Sequence, residues 1–144
     1  MRGGFLNLSL DTTRTHLVRA MIEGTAHNLR WLMPYVEAFT GRRIEEIAFG
    51  GGAARSRGWA QILADVLDRP IRVLGNPAST VARAVGLVAL VRQGALGADD
   101  IAGLEETAAT CEPIAAHRDR YAAMQEQFVA AFEAVRPICE ALAG

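Results

Sequence analysis

Ile44-Glu-Glu-Ile-Ala-Phe-Gly-Gly-Gly-Ala-Ala-Arg-Ser56, continuing through Arg57-Gly-Trp-Ala-Gln-Ile-Leu-Ala-Asp-Val-Leu67, is a short apolar run that stops at three glycines and resumes as an amphipathic helix. Strand, glycine turn and helix N-terminus is an order that brings bare backbone up to a phosphate or a ribose. Without Cβ atoms the main chain can approach a ligand closely and adopt φ > 0. The free N–H groups that open the next helix favour an anion. The stretch predicts a strand over 44–49, a glycine loop, and a helix from Arg57 to Leu67 with Ser56 as N-cap. Trp59, Ile62, Leu63, Val66 and Leu67 would form its buried stripe. The functional reading is a nucleotide-binding half-site; a tight turn with no ligand is the alternative.

A dinucleotide fingerprint fails on two counts. It needs a third glycine where Arg55 stands, and an acid at the end of the second strand, where the chain reads Leu74-Gly75-Asn76. That second strand, Ile71 to Leu74, follows the turn Asp68-Arg69-Pro70. Beyond it, Gly75-Asn76-Pro77 turns the chain, and Ser79 is expected to cap a helix that runs to Arg92 and stops at Gly94. Upstream, residues 1–12 read as extended, with Leu6, Leu8 and Leu10 alternating with polar residues. Asp11, Thr12 and Thr13 offer caps for a helix from Arg14 to Phe39, with Leu17, Met21, Asn28, Leu32, Val36 and Phe39 near one face. Pro34 predicts a kink or a break after Leu32. Gly97 to Pro113 has the weakest pattern. A last helix, Ala116 to Leu142, carries Tyr121, Met124, Phe128, Phe132 and Val135 at helical spacing, with Pro137 bending its end.

The order α-β-α-β-α-α gives an α/β class with two parallel strands joined by a helix. Two short parallel strands make a poor sheet, since such strands need neighbours at both edges and helices on both faces. Either the first residues add a third strand or the chain is the back end of a larger fold; the second is favoured. The chain has 144 residues and 51% apolar composition at a net charge of −1, which fits one domain and offers nothing to a polyanion such as nucleic acid. All 15 basic residues are arginine. A Walker-type phosphate loop, which needs a lysine, is therefore excluded. Cys111 and Cys139 stand far apart with no paired histidines, so reduced thiols are expected rather than zinc. Nothing after Met1 reads as a signal peptide, and Val85 to Val91 is too short to cross a membrane, so a cytoplasmic location is expected.

Other polar residues carry weaker readings. Asp11, Thr12, Thr13 and Arg14 suit either a ligand-facing loop or a helix cap. Glu23 and His27 read as a pair on one helix face, and His16 and His117 as surface or cap residues. Arg83, near Asn76 and Ser79, either lines a cleft where the second strand ends or is an ordinary solvated arginine.

Two segments resemble the C-terminal domain of the FGGY family of carbohydrate kinases, xylulokinase-like members most closely. The first is Gly3-Gly-Phe-Leu-Asn-Leu-Ser-Leu10 with His16-Leu17 and Ala20-Met-Ile-Glu-Gly24, which follows the family's second signature except that Asn7 stands where glycine is expected. The second is Gly50-Gly-Gly-Ala-Ala-Arg-Ser56 with Trp59, Gln61-Ile-Leu-Ala-Asp-Val-Leu67 and Arg69-Pro70, which is similar to the family's adenosine-binding turn and following helix. Ala82-Arg-Ala-Val-Gly-Leu87 and the Tyr121-to-Phe132 helix also suit the family.

The resemblance implies the C-terminal portion of a ribonuclease-H-like, actin-like ATPase domain, helix-rich with a small parallel sheet. Residues 1–144 would be a partial nucleotide-binding domain, with the N-terminal sugar-binding domain absent. By the same resemblance Gly50, Gly51, Gly52 and Ala53 contact the nucleotide, ATP or ADP. The Mg²⁺ ligands, the catalytic base and the sugar pocket lie upstream of the matched region, so no catalytic residue is assigned to Asp11, Asp65 or Glu23. The implied reaction is phosphoryl transfer from ATP to a sugar hydroxyl, a ketopentose such as xylulose, with no turnover by this chain alone. A separate kinase half would complete it, and the exposed sheet edge is expected to be buried against a partner or another copy of the chain. The rival reading is a non-catalytic remnant or interaction module that keeps the fold.

Overall fold

A computed structural model describes residues 4–104 and 106–142. Four helices flank a three-stranded sheet: α1 Arg14–Thr40, β1 Ile47–Phe49, α2 Arg57–Leu67, β2 Ile71–Leu74, α3 Thr80–Arg92, β3 Thr107–Cys111 and α4 Arg118–Leu142. β2 is central. It pairs parallel with β1 (Ile47 opposite Ile71) and antiparallel with β3 (Ile71 opposite Cys111). The expected parallel pair is present, and an antiparallel third strand makes the sheet mixed. The third strand comes from Thr107–Cys111, inside the stretch read as least structured, and not from the first residues; of these, 4–12 form no strand and 1–3 lie outside the described residues. Thr-Ala-Ala-Thr-Cys hides its nature because only Cys111 is fully buried, so the small exposed residues of this edge strand show no apolar alternation.

Local chemistry explains the element ends. Thr13 Oγ1 accepts the His16 N–H, and His16 Nδ1 accepts the Thr13 N–H in return, a reciprocal cap that starts α1. Gly41, at φ 69°, ends it. Of the kink or break expected at Pro34, the break does not occur: the helix continues through it and forgoes the hydrogen bond that the Pro34 nitrogen cannot donate. Likewise α4 runs through Pro137 to Leu142. Ser56 Oγ accepts the Trp59 N–H and caps α2 as predicted. Ser79 does not cap α3: its hydroxyl donates to the Asn76 carbonyl instead.

The core lies where α1, α2 and α4 meet one face of the sheet. Ala60, Leu63, Ala64, Val66 and Leu67 of α2 join Ile71, Val73, Cys111, Ala26 and Tyr121, with Trp59 and Ile62 packed at the margin. All five residues of the predicted α2 stripe therefore contribute. The stripe expected on α1 does not. The buried residues of that helix are Ala26 and His27, whereas Met21, Leu32 and Phe39 are 63%, 53% and 91% exposed. α1 carries two apolar sides, and only one of them meets α2 and α4. α3 has no buried residue at all, and Val81, Val85 and Val88 of its surface are bare. A helix apolar on several sides is the pattern of an element packed on several sides.

Candidate functional site

β1 ends at Phe49, and the glycines occupy the bend between its carboxyl end and a 3-10 turn, Gly52–Arg55, that leads into Ser56 and α2. The first two glycines stand there for different reasons. A Cβ on Gly50 would lie 2.6 Å from both Cγ2 and Oγ1 of Thr80, so the strand end is pressed against the first residue of α3. Gly51 has φ 84° and ψ −173°, a region essentially reserved for glycine, and its N–H donates to the Pro77 carbonyl at 2.9 Å. Gly52 has neither constraint. Its φ is not in the left-handed range and a Cβ there would meet nothing within 4 Å. The fold demands glycine at the first two positions and leaves the third unexplained.

The loop also presents donors. Ala54 and Ser56 donate their N–H groups back to Gly51 and Ala53. Among the described residues the N–H groups of Gly52 and Ala53 have no acceptor. Gly52 is exposed and Ala53 half-buried, so two adjacent unpaired donors stand at the carboxyl edge of the sheet. Ligands of open α/β sheets bind at that edge. Ala54, in contrast, is buried and anchors the turn.

The sheet topology brings further polar residues to the same edge. Leu74, Gly75, Asn76, Thr80, Arg83 and Glu106 line a shallow recess beside the loop. Arg83 therefore lines a recess at the end of β2, as one of its two readings held; its Nη2 donates to the Leu104 carbonyl at 2.8 Å. Glu106 escaped the sequence reading because the strand that delivers it did.

The remaining candidates are occupied elsewhere. Thr13 provides the helix cap, and Asp11 is exposed. Glu23 and His27 do not pair with each other; both hold α4. Glu23 Oε1 accepts from the Tyr121 hydroxyl and from Arg19 Nε, each at 2.8 Å. His27 is 2% exposed and donates from Nδ1 to Gln125 Oε1 at 2.8 Å, while its ring stacks on Phe128. Burial depresses its pKa, an effect that the Gln125 hydrogen bond only partly offsets. Its Nε2 is buried without a partner among the described residues. Burial, helped by the Glu23 hydrogen bond, raises the Tyr121 pKa.

His117 departs from the surface reading. Its Nδ1 donates at 2.8 Å to Asp65, a buried carboxylate that also accepts from Gln61 Nε2 and the Ile114 N–H, both at 2.9 Å. This cluster ties α2 to the segment between β3 and α4. Gln61 and Asp65, four apart on one helix, were its only sequence signal. A larger cleft of about 570 Å³ is lined by Arg30, Trp31, Leu67, Arg69 and Gln125 among others. Arg69 Nε donates to the Ile44 carbonyl just ahead of β1, which puts the cleft at the opposite end of the strand from the glycines.

Residues 1–91 match the family described as FGGY family of carbohydrate kinases, C-terminal domain. A glycerol kinase of Nitrosomonas eutropha is 38% identical over 107 residues, covering 74% of this chain and 20% of the relative. An L-fuculokinase of Escherichia coli is 36% identical over 81 residues, covering 56% of this chain and 17% of the relative. Among solved structures, a xylulose kinase from Rhodospirillum rubrum superposes with a TM-score of 0.76 at 33% identity, over 96% of this chain and 28% of that one. The chain thus spans between a sixth and a third of the length of these relatives. With the fold of an actin-like ATPase domain and a family match over most of its length, this chain belongs to the FGGY family of carbohydrate kinases and carries its C-terminal domain.

Proposed function

We propose that the chain supplies the nucleoside wall of an ATP-dependent sugar kinase, with Gly50, Gly51, Gly52 and Ala53 as the contact surface for ATP or ADP. One observation carries the reading. Gly52 is a glycine that the fold does not require, and its own N–H and that of Ala53 have no acceptor among the described residues. Close approach of a ligand to bare backbone accounts for both features.

The reaction of such an enzyme is phosphoryl transfer, which rests on positioning and on neutralising the γ-phosphoryl charge. Among the described residues no three of His, Cys, Asp and Glu gather to hold a metal ion, and we assign no Mg²⁺ ligand to this chain. We assign the γ-phosphate, Mg²⁺ and the sugar to polypeptide outside these residues, either upstream in the same chain or in a separate kinase half. The bare faces of α1 and α3 and the open edge of β1 fit burial by that polypeptide. We propose a sugar hydroxyl as the acceptor, that of a ketopentose such as xylulose; the likeness to a xylulose kinase supports this choice, and the relatives named for glycerol and L-fuculose mark the alternatives. No described helix is long and apolar enough to cross a membrane, and a cytoplasmic enzyme fits the substrates.

Thermal denaturation with nucleotides tests the reading. A ligand bound only by the folded state stabilises it by about 2.7 kcal/mol at a hundredfold excess over Kd, or about 8 °C for a chain of this size. ATP, ADP and AMP should each raise Tm, without need of Mg²⁺. No shift with any of them would favour a remnant or interaction module. Sugar-dependent ADP formation by the purified chain would contradict the proposed division of labour.

A further inference from the structure

The segments after Phe49 and Leu74 leave the sheet at one edge because β1 and β2 are parallel, and Glu106 approaches at that same edge because β3 runs antiparallel. The register between β2 and β3 shifts at this point. Leu74 pairs with Thr107 while Val73 pairs with Ala109, so Ala108 is an extra residue. Such bulges re-aim side chains at sheet rims. Glu106 is fixed by its backbone: its carbonyl accepts the Gly75 N–H at 2.7 Å. Its Oε2 lies 3.5 Å from where a Gly75 Cβ would be, so the carboxylate sits over the end of β2. Among the described residues that carboxylate has no ion-pair or hydrogen-bond partner. The recess it lines reaches the glycine loop through Thr80, whose side chain meets Gly50.

We propose, resting on the nucleotide reading above, that the ribose of the bound nucleotide lies over the mouth of this shallow recess and that the exposed Glu106 carboxylate accepts hydrogen bonds from its hydroxyls. The chemistry selects this part of the ligand. A free carboxylate repels a phosphate but accepts two O–H donors from a vicinal diol in charge-assisted hydrogen bonds. Thr80 offers no competing donor, since its hydroxyl is engaged by the Asn76 and Pro77 carbonyls. Arg83 Nη2 is committed to the Leu104 carbonyl and fastens the segment before β3 to α3. Dinucleotide-binding folds place an acid at the end of the second strand for the ribose. Here the second strand ends without one, and the neighbouring antiparallel strand delivers it.

Titration calorimetry with ADP, 2′-deoxy-ADP and 2′,3′-dideoxy-ADP tests the assignment on the chain itself, its Glu106→Ala and Glu106→Gln variants, and a Glu126→Ala control in the distant cleft. The wild type should prefer ADP to the dideoxy analogue by about tenfold or more, the scale of charge-assisted hydrogen bonds. Glu106→Ala should bring that ratio close to one while leaving dideoxy-ADP affinity unchanged, and Glu106→Gln should fall between. Glu126→Ala should keep the full ratio. Glu106 is exposed, so the variants should retain the wild-type melting temperature. If the wild type does not discriminate, or Glu106→Ala discriminates as well as it does, the ribose assignment is wrong and the glycine-loop reading survives. If no adenine nucleotide binds, both fall together.

Discussion

Replacing the three loop glycines one at a time with alanine separates what the fold needs from what a ligand needs. In Gly50→Ala the new methyl lies 2.6 Å from two side-chain atoms of Thr80 and 3.0 Å from its Cβ, so α3 or the strand end must shift. Overpacking of that kind destabilises by about 1–3 kcal/mol. In Gly51→Ala the methyl has space, but φ 84° with ψ −173° is strained for any L-residue, again by about 1–3 kcal/mol. Gly52→Ala meets neither obstacle. It should leave stability unchanged or raise it by up to about 1 kcal/mol through reduced freedom of the unfolded chain. Urea denaturation gives the stabilities, and ADP titration of the same samples gives the affinities. Gly52→Ala should weaken ADP binding about tenfold or more while remaining as stable as the wild type. Adding Thr80→Ala to Gly50→Ala should recover part of the lost stability, because it removes the two closest atoms but not the Cβ. A Gly52→Ala protein as destabilised as Gly50→Ala, or one that binds ADP like the wild type, would refute the reasoning.

Three other predictions use the buried polar groups and the bare faces. Asp65→Ala removes the acceptor of three hydrogen bonds from Gln61, Ile114 and His117 and should lower unfolding free energy by about 3 kcal/mol in urea, with Asp65→Asn milder. His27 is held neutral by burial, with Glu23 and Arg30 as the nearby charges. The unfolded chain, titrating near 6.5, binds the proton first, so His27 should cost stability as pH falls below about 6.5, with a slope of at most about 1.4 kcal/mol per pH unit. Melting curves between pH 7 and pH 5 should show this slope, reduced in His27→Gln. The isolated chain, with Val81, Val85 and Val88 bare on α3 and Phe39 91% exposed on α1, should self-associate in light scattering. A monodisperse monomer would contradict that.

Much of the architecture was legible because it rests on local signals. The α2 stripe, the Ser56 cap, the parallel pair around the glycine loop and the aromatic row of α4 follow from periodicity and caps, and the structure reproduces them. What failed was decided by tertiary contacts. β3 is a run of small, mostly exposed residues whose strand character comes only from pairing with β2. Both sides of α1 are apolar, and periodicity does not say which of them α2 and α4 cover. The Asp65–His117 contact joins residues fifty-two apart, beyond the reach of any helical spacing. At the candidate site the glycine turn was legible, but the separate constraints on Gly50 and Gly51 were not. Those depend on Thr80 and on backbone angles, which no motif records.

The central claim concerns two backbone N–H groups, and amide NMR observes them directly. In a ¹⁵N correlation spectrum of the labelled chain, ADP should displace the Gly52 and Ala53 signals first and furthest, in step with the calorimetric saturation curve. Unmoved loop signals at saturating ADP, or changes confined to the cleft around Trp31 at the other end of the strand, would contradict the account.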